Sequence, residues 1–67
     1  MDYSLQVEQE TDGRWLAEVP ELPGVLAYGV SCGEAMLKAE TLALCVIADK
    51  LEHGEIEAHS VRLIIAA

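Results

Sequence analysis

The sequence predicts an α+β fold in which an antiparallel meander of three strands is followed by one helix packed on the sheet and a returning strand. Two observations carry this prediction. Before Ser31, apolar residues alternate with polar ones, as in strands with one buried face. From Ser31 to Glu52 no proline occurs and helix-forming residues dominate. We therefore expect the order β-β-β-α-β in a single domain, residues 1–67.

The first two strands are predicted to form a hairpin. Apolar and polar residues alternate in residues 3–8 and again in residues 14–19. A three-residue loop, residues 11–13, pairs Val7 with Ala17 and keeps the apolar side chains on one face, whereas a two-residue loop would mix the faces. The glycine that ends this loop suits the left-handed position of such turns.

The outer face of this hairpin is a candidate partner-binding surface. The predicted register places on it three carboxylates and one leucine, namely Glu8, Glu10, Leu16 and Glu18. Acidic charge around an apolar anchor suits the docking of a basic protein. The alternative is a solvated strand face with one stray leucine, since isolated exposed apolar residues are common.

A rigid corner follows the hairpin at Pro20-Glu21-Leu22-Pro23-Gly24. The two prolines exclude a central strand or a helix interior, because each lacks an N–H and fixes φ. Gly24 can adopt the positive φ that a tight turn needs. Leu22, the one apolar side chain between the prolines, is predicted to insert into the core.

The third strand and the start of the helix come next. Residues 25–30 read as a strand, in which Gly29 marks a bulge or the bend into the helix. Ser31 is a good N-cap residue, and Glu34 three positions later completes a capping box. This is the most specific local signal in the chain.

The helix has more apolar surface than one sheet can cover. On a helical wheel its apolar arc is roughly twice the ~100° that an ordinary surface helix buries. The run at residues 61–66 is apolar on both faces, so this last strand is either central in the sheet or paired across a subunit boundary. We therefore predict a homodimer or homotetramer that associates through Leu37, Leu44, Ala48, Leu51 and Ile64.

The charge limits the classes of partner. Twelve acidic and four basic residues give a net charge of −8, which argues against direct binding of nucleic acid and permits a basic protein partner. Cys32 and Cys45 do not stand at metal-ligand spacing from His53 or His59, so we expect no metal and no cofactor. Without a leader or a bilayer-length apolar run, a cytoplasmic protein that does not contact the membrane is expected.

We also predict that the chain is not an enzyme. Two-metal chemistry needs carboxylates that converge from different elements, and the acidic residues of the predicted helix point to diverging sides. Cys32, in the first helical turn, has no histidine nearby in the sequence to act as its base. No glycine-rich phosphate loop is present, because the glycines stand alone at turn positions.

The motifs of the chain resemble those of the HicB family of antitoxins. The similar segments are residues 12–24, Gly29-Val30-Ser31, Glu34-Ala35 and Ala39-Glu40. Family members run an aromatic-led strand into Pro-acidic-Leu-Pro-Gly, followed by a Gly-x-Thr/Ser helix start, Glu-Ala and Ala-x-Glu. The resemblance implies structural roles for the motif residues Pro20, Leu22, Pro23, Gly24, Gly29, Ser31, Glu34 and Ala35.

The resemblance also implies a fold and a function. The fold would be similar to a truncated ribonuclease H without its nuclease centre, and it would form dimers or larger oligomers. The function would be to neutralise a HicA-like toxin, a small basic ribonuclease. Because the chain stops after the last predicted strand, we expect no C-terminal DNA-binding domain. The alternatives are a solitary oligomeric HicB-like protein that binds another partner or a small ligand, and a residual metal-dependent nuclease.

Overall fold

The computed structural model describes residues 2–56 and 62–65, with the backbone alone described for the last four. It contains β1 (Asp2–Gln9), β2 (Trp15–Glu18), β3 (Leu26–Gly29), α1 (Cys32–Glu52) and β4 (Arg62–Ile65). Both the α+β class and the order of the elements are as predicted. None of the described residues forms a helix that is both long and apolar enough to cross a lipid bilayer.

The strands form one sheet in the order β3-β2-β1-β4. The first three strands are antiparallel neighbours, which confirms the predicted meander. Val7 is aligned with Ala17, as the three-residue loop requires. Gly13 has φ +93°, and its N–H donates to the Glu10 carbonyl at 3.0 Å. The predicted hairpin register is therefore confirmed.

The last strand lies at the edge of the sheet, parallel to β1, so the prediction of a central position is wrong. The hairpin occupies one side of β1, and β4 bonds to the other side. The alternative, a strand paired across a subunit boundary, stays a prediction. The side chain of Ile64, and residues 61 and 66 of the predicted strand, lie outside the described residues.

The proline-rich corner consists of two successive turns. The Leu22 N–H donates to the Val19 carbonyl, and the Val25 N–H donates to the Leu22 carbonyl, both at 3.0 Å. The second turn has Pro23 before Gly24, whose φ is +87°, and this is the pattern of a type II turn. Leu22 is buried between the two turns, as predicted.

A glutamate of this corner completes the hydrogen bonding of β1. The Glu21 carboxylate accepts from the backbone N–H of Ser4 and, at 3.0 Å, from its hydroxyl group. Ser4 lies before the part of β1 that is aligned with β2. Its N–H therefore finds a side-chain acceptor in the corner instead of a partner on β2.

The start of α1 lies against the end of β3. A Cβ atom at Gly29 would be 2.6 Å from the Ala35 nitrogen, so only glycine permits this close approach. The Ser31 Oγ accepts from the Glu34 N–H at 3.1 Å, which confirms the predicted N-cap. The predicted capping box differs in its second bond, because the Glu34 carboxylate accepts from the Val30 N–H at 3.3 Å, one residue before the cap residue.

The core lies between the sheet and one face of the helix. Four helix residues with small or branched side chains are buried against the strands, namely Ala35, Ala39, Ala43 and Ile47. They meet Tyr3, Leu5, Ala17, Val19, Leu22 and Val25. Three alanines in this stripe allow the helix axis to approach the sheet closely, because each has only a methyl group to accommodate.

The helix ends as the sequence predicts, with Gly54 after the cap residue His53. Gly54 has φ +70°, and its N–H donates to the Leu51 carbonyl at 3.2 Å. The Glu55 N–H donates to the Lys50 carbonyl at 2.8 Å. This pair of bonds is a Schellman motif, which satisfies carbonyls that the helix leaves free.

Candidate functional site

The sheet face opposite α1, called the outer face here, carries two rows of side chains. In one row Glu8 on β1 is aligned with Leu16 on β2, and Leu16 with Tyr28 on β3. In the other row the aligned residues are Gln6, Glu18 and Leu26. Acidic groups thus lie toward β1 and β2, and apolar groups toward β3.

The outer face is accessible at most of these positions. Leu26 is 45% exposed and Tyr28 is 41% exposed, which is high for large apolar side chains. Glu8 is exposed, while Leu16 and Glu18 are half-buried. A shallow depression lies beside β1 and β2, lined by Gln6, Val7, Glu8, Leu16 and Glu18. The Leu16 side chain is therefore less exposed than the sequence predicts, and it belongs to an apolar patch with Leu26 and Tyr28.

An arginine stands at one end of the outer face. The Arg14 guanidinium carbon is 4.6 Å from the centroid of the Tyr28 ring. The Arg14 Nε also donates to the Asp12 Oδ2 at 2.8 Å. Hydrogen bonding, chiefly from the Arg14 backbone N–H, lowers the pKa of Asp12. The charge of Arg14 is therefore largely compensated within its own turn, and the remaining charge of the rows is acidic.

Two of the three predicted glutamates lie in the rows. Glu8 and Glu18 occupy neighbouring positions on paired strands. Glu10 lies beyond the last aligned pair of the hairpin, where its N–H donates to the Arg14 carbonyl at 2.7 Å. It is half-buried beside the hairpin turn. The structure thus brings Glu8, Leu16 and Glu18 together and places Glu10 at the margin.

Leu26 and Tyr28 also belong to this surface, although neither was among the residues predicted from the sequence. They are two residues apart in the third strand, so the sequence alone places their side chains on the same face of it. Their alignment with Glu18 and Leu16 depends on how the chain crosses the two-turn corner. Predicting how the second strand aligns with the third, as was done for the hairpin, would have placed them on this face.

The four predicted self-association residues of α1 lie on the opposite side of the molecule. Leu37 is 66%, Leu44 51% and Leu51 37% exposed, and Ala48 is also exposed. They occupy the side of α1 that faces away from the sheet, while the alanine stripe faces the core. The helix therefore presents an apolar surface that the described part of the chain does not cover.

Within the described residues, one group of side chains could approach a metal ion. Donor atoms of Asp49, His53 and Glu55 lie within 4.8 Å of one another, and all three residues are exposed. The His53 Nδ1 is 2.8 Å from the Asp49 carbonyl oxygen, and the Lys50 Nζ is 4.0 Å from the Glu55 carboxylate. These contacts belong to the C-terminal cap of α1, so the cluster has a structural explanation.

The cysteines do not form a nucleophilic site with the described histidine. The Cys32 Sγ lies 3.6 Å from the Met36 Sδ in the first turns of α1. His53 caps the other end of the same helix. Cys45 is exposed and also free. His59 lies outside the described residues.

No protein-family model, curated protein or solved structure matches this chain. The resemblance to HicB antitoxins therefore rests on the motif residues alone.

Proposed function

We propose that this chain is a non-catalytic antitoxin-like protein that binds a small basic HicA-like ribonuclease through the outer face of its sheet. The observation that supports the proposal most directly is the pair of rows on that face. Acidic Glu8 and Glu18 stand beside a patch formed by Leu16, Leu26 and Tyr28. Charge for attraction and apolar area for retention thus occur together.

The charge of the whole chain suits such a partner. A net charge of −8 attracts a basic protein over a distance and raises the rate of encounter. Glu8 and Glu18 form no ion pair among the described residues, whereas Arg14, Lys38 and Lys50 each contact a carboxylate of their own chain. The two glutamates are thus available to accept hydrogen bonds from lysine or arginine of another protein.

The resemblance to HicB antitoxins supplies the class of partner. The corner, the glycine before the helix and the capped helix start are the positions that carry that resemblance. In this proposal they build the scaffold, and the outer face makes the contact. Inhibition would then follow from occlusion of the toxin's RNA-binding surface, with no reaction performed by this chain.

Affinity capture from the native cell tests the function. We expect the tagged chain to retain a small basic protein that cleaves RNA, and we expect the purified chain to inhibit that cleavage. A captured partner without ribonuclease activity would contradict the antitoxin role. It would favour the alternative in which a HicB-like protein serves another partner.

Association kinetics with that ribonuclease test the surface. Glu8→Gln combined with Glu18→Gln should slow association and flatten its dependence on salt, because two steering charges are lost. Glu40→Gln with Asp49→Asn removes the same charge from the helix and serves as the matched control. Equal effects of the two pairs would show that net charge matters and the outer face does not.

The apolar part of the surface calls for a separate variant. Leu16→Ala should accelerate dissociation with little change in association, because short-range contact acts after encounter. Tyr28→Ala should act in the same direction. If the ribonuclease binds both variants as it binds the wild type, the outer face is not its docking site.

A further inference from the structure

The exposed side of α1 has the spacing of a coiled-coil seam. Leu37, Leu44 and Leu51 are seven residues apart, and Thr41 and Ala48 lie between them at alternating steps of four and three. All five side chains are exposed. Leucines and small residues thus alternate along one narrow stripe, which we call the leucine stripe.

We propose that the leucine stripe packs against the leucine stripe of a second copy of this chain, with the two helices antiparallel. In that arrangement the two leucines nearest the centre of the contact, Leu44 and Leu51, each meet a small side chain. Leu44 packs against Ala48 of the partner subunit, and Leu51 against Thr41 of the partner subunit. Large and small residues then interdigitate in the four layers that residues 41–51 of the two helices form.

A parallel pair would be poorly matched. Leucines would face leucines in some layers, and alanine or threonine would face itself in the others, so the spacing between the helices could not be uniform. The same seam would bring Glu34 toward Glu34 of the partner subunit. Like charges at such a position are destabilising.

Charge complementarity also favours the antiparallel arrangement. Lys38 and Glu52 flank the stripe on the same side, near its two ends. Antiparallel packing with Leu44 against Ala48 places Lys38 opposite Glu52 of the partner subunit, and the two-fold axis repeats this pair. Lys38 already contacts the Glu34 carboxylate at 3.2 Å, so a second carboxylate would extend an existing ion pair.

This interface is independent of the proposed toxin-binding surface. The leucine stripe lies on the side of α1 that faces away from the sheet, and the outer face lies on the far side of that sheet. A dimer would leave both outer faces accessible. Failure of either proposal therefore leaves the other unaffected.

Sedimentation at micromolar concentration tests the surface. The wild type should be a dimer, and Leu44→Glu should be a monomer, because the charge falls in the centre of the seam. Leu26→Glu is the matched control: Leu26 is 45% exposed and Leu44 51%, but Leu26 lies on the outer face. A monomeric wild type, or a Leu44→Glu protein that still dimerises, would overturn the proposal.

The native Cys45 tests the orientation. It flanks the stripe on the same side as Lys38 and Glu52, and the antiparallel register places it next to Cys45 of the partner subunit. A Cys32→Ser protein should therefore form a disulfide-linked dimer when a mild oxidant is added. In a parallel pair the two Cys45 residues would lie on opposite flanks of the seam and would not react.

Leu37→Cys in a background without other cysteines gives the reverse test. In the antiparallel pair the two introduced thiols are about 25 Å or more apart along the seam, and no disulfide should form. In a parallel pair they would be adjacent. Disulfide formation by this variant, with none at Cys45, would overturn the antiparallel arrangement.

Glu52→Lys tests the flanking charges without disturbing the core. The dimer should dissociate about five- to tenfold more readily, because two attractive pairs become repulsive. The fold of each subunit should be unharmed, since a cation near a helix C-terminus is favourable. Glu8→Lys makes the same change of charge on the outer face and should leave the dimer unchanged. Equal weakening by both variants would contradict the predicted Lys38–Glu52 contact.

Discussion

Gly29 determines how closely β3 and the start of α1 can approach each other. A methyl group there would lie 2.6 Å from a backbone nitrogen of the helix, and a backbone atom cannot turn aside as a flexible side chain can. We expect Gly29→Ala to lower the free energy of unfolding by about 1–3 kcal/mol. Denaturant titration at neutral pH would measure this loss.

Gly33, four positions later, is the matched control for that prediction. Apart from its chain neighbours and the nearby helix backbone, no atom lies within 4 Å of a Cβ built there, and the residue is helical without a positive φ. Gly33→Ala should raise the free energy of unfolding by about 0.5–1 kcal/mol, because alanine loses less conformational entropy in a helix. If both variants were stabilised, the close approach at Gly29 would be disproved.

Glu34 makes the stability depend on pH. Its pKa is lowered from 4.5, first by the hydrogen bond from Lys38 and then by the one from the Val30 N–H. A carboxylate with a lowered pKa stabilises the fold above its unfolded pKa, and that contribution is lost as the pH falls through the folded value. Stability should therefore decrease as the solution is acidified below 4.5.

Glu34→Gln tests the source of this dependence. The amide cannot titrate, so the variant should lose less stability than the wild type over the same acid range. Asp12 acts in the same direction, since its pKa is also lowered, and Asp12→Asn should reduce the remaining slope. Unfolding curves at several pH values would show both effects. Parallel wild-type and Glu34→Gln profiles would exclude Glu34 as a source.

At the scale of elements, the contact between α1 and the sheet depends on small side chains. Ala39 is fully buried in the middle of the alanine stripe. Ala39→Leu should lower the free energy of unfolding by about 1–3 kcal/mol, because the added atoms have no space between helix and sheet. Ala48→Leu, on the exposed side, should have little effect when measured in the monomeric Leu44→Glu protein. An unchanged thermal midpoint for Ala39→Leu would contradict close packing here.

Local sequence signals predicted most of the helices and strands. The position of β4 could not be predicted, because it depends on pairing with a strand far away in the sequence. The hairpin register followed from its own alternation and its glycine, and the helix start followed from Ser31 and Glu34. The position of β4 could not be found in this way, because a strand apolar on both faces fits a centre or an interface equally well. It pairs with the free edge of β1, although the free edge of β3 was equally open to a returning strand.

The candidate site shows the same division. Glu8, Leu16 and Glu18 could be placed from a single hairpin. Leu26 and Tyr28 join them only through the corner, whose two turns set the alignment of β3 with β2. The sequence contains both prolines and Gly24, but their effect on register depends on the geometry of two turns in succession.

At the scale of the whole molecule, the described cations are already engaged. Arg14, Lys38 and Lys50 each form an ion pair within the chain, and Arg62, on β4, is the fourth basic residue. With a net charge of −8, we expect no retention of duplex DNA or RNA at physiological salt. Gel-shift titration would check this, and a salt-dependent complex would contradict it.

The pairing of β1 with β4 has a consequence for the order in which the chain folds. Asp2 is aligned with Arg62, 60 positions away, whereas β2, the hairpin partner of β1, follows it after a short loop. Closing so long a loop costs more entropy and is slow. The hairpin and the other antiparallel pairing of the sheet can therefore form first, and the open edge of β1 must wait for β4. During that interval the unpaired N–H and C=O groups of β1 can bond to a strand of another chain, so the time before β4 docks is when the chain is most prone to aggregate.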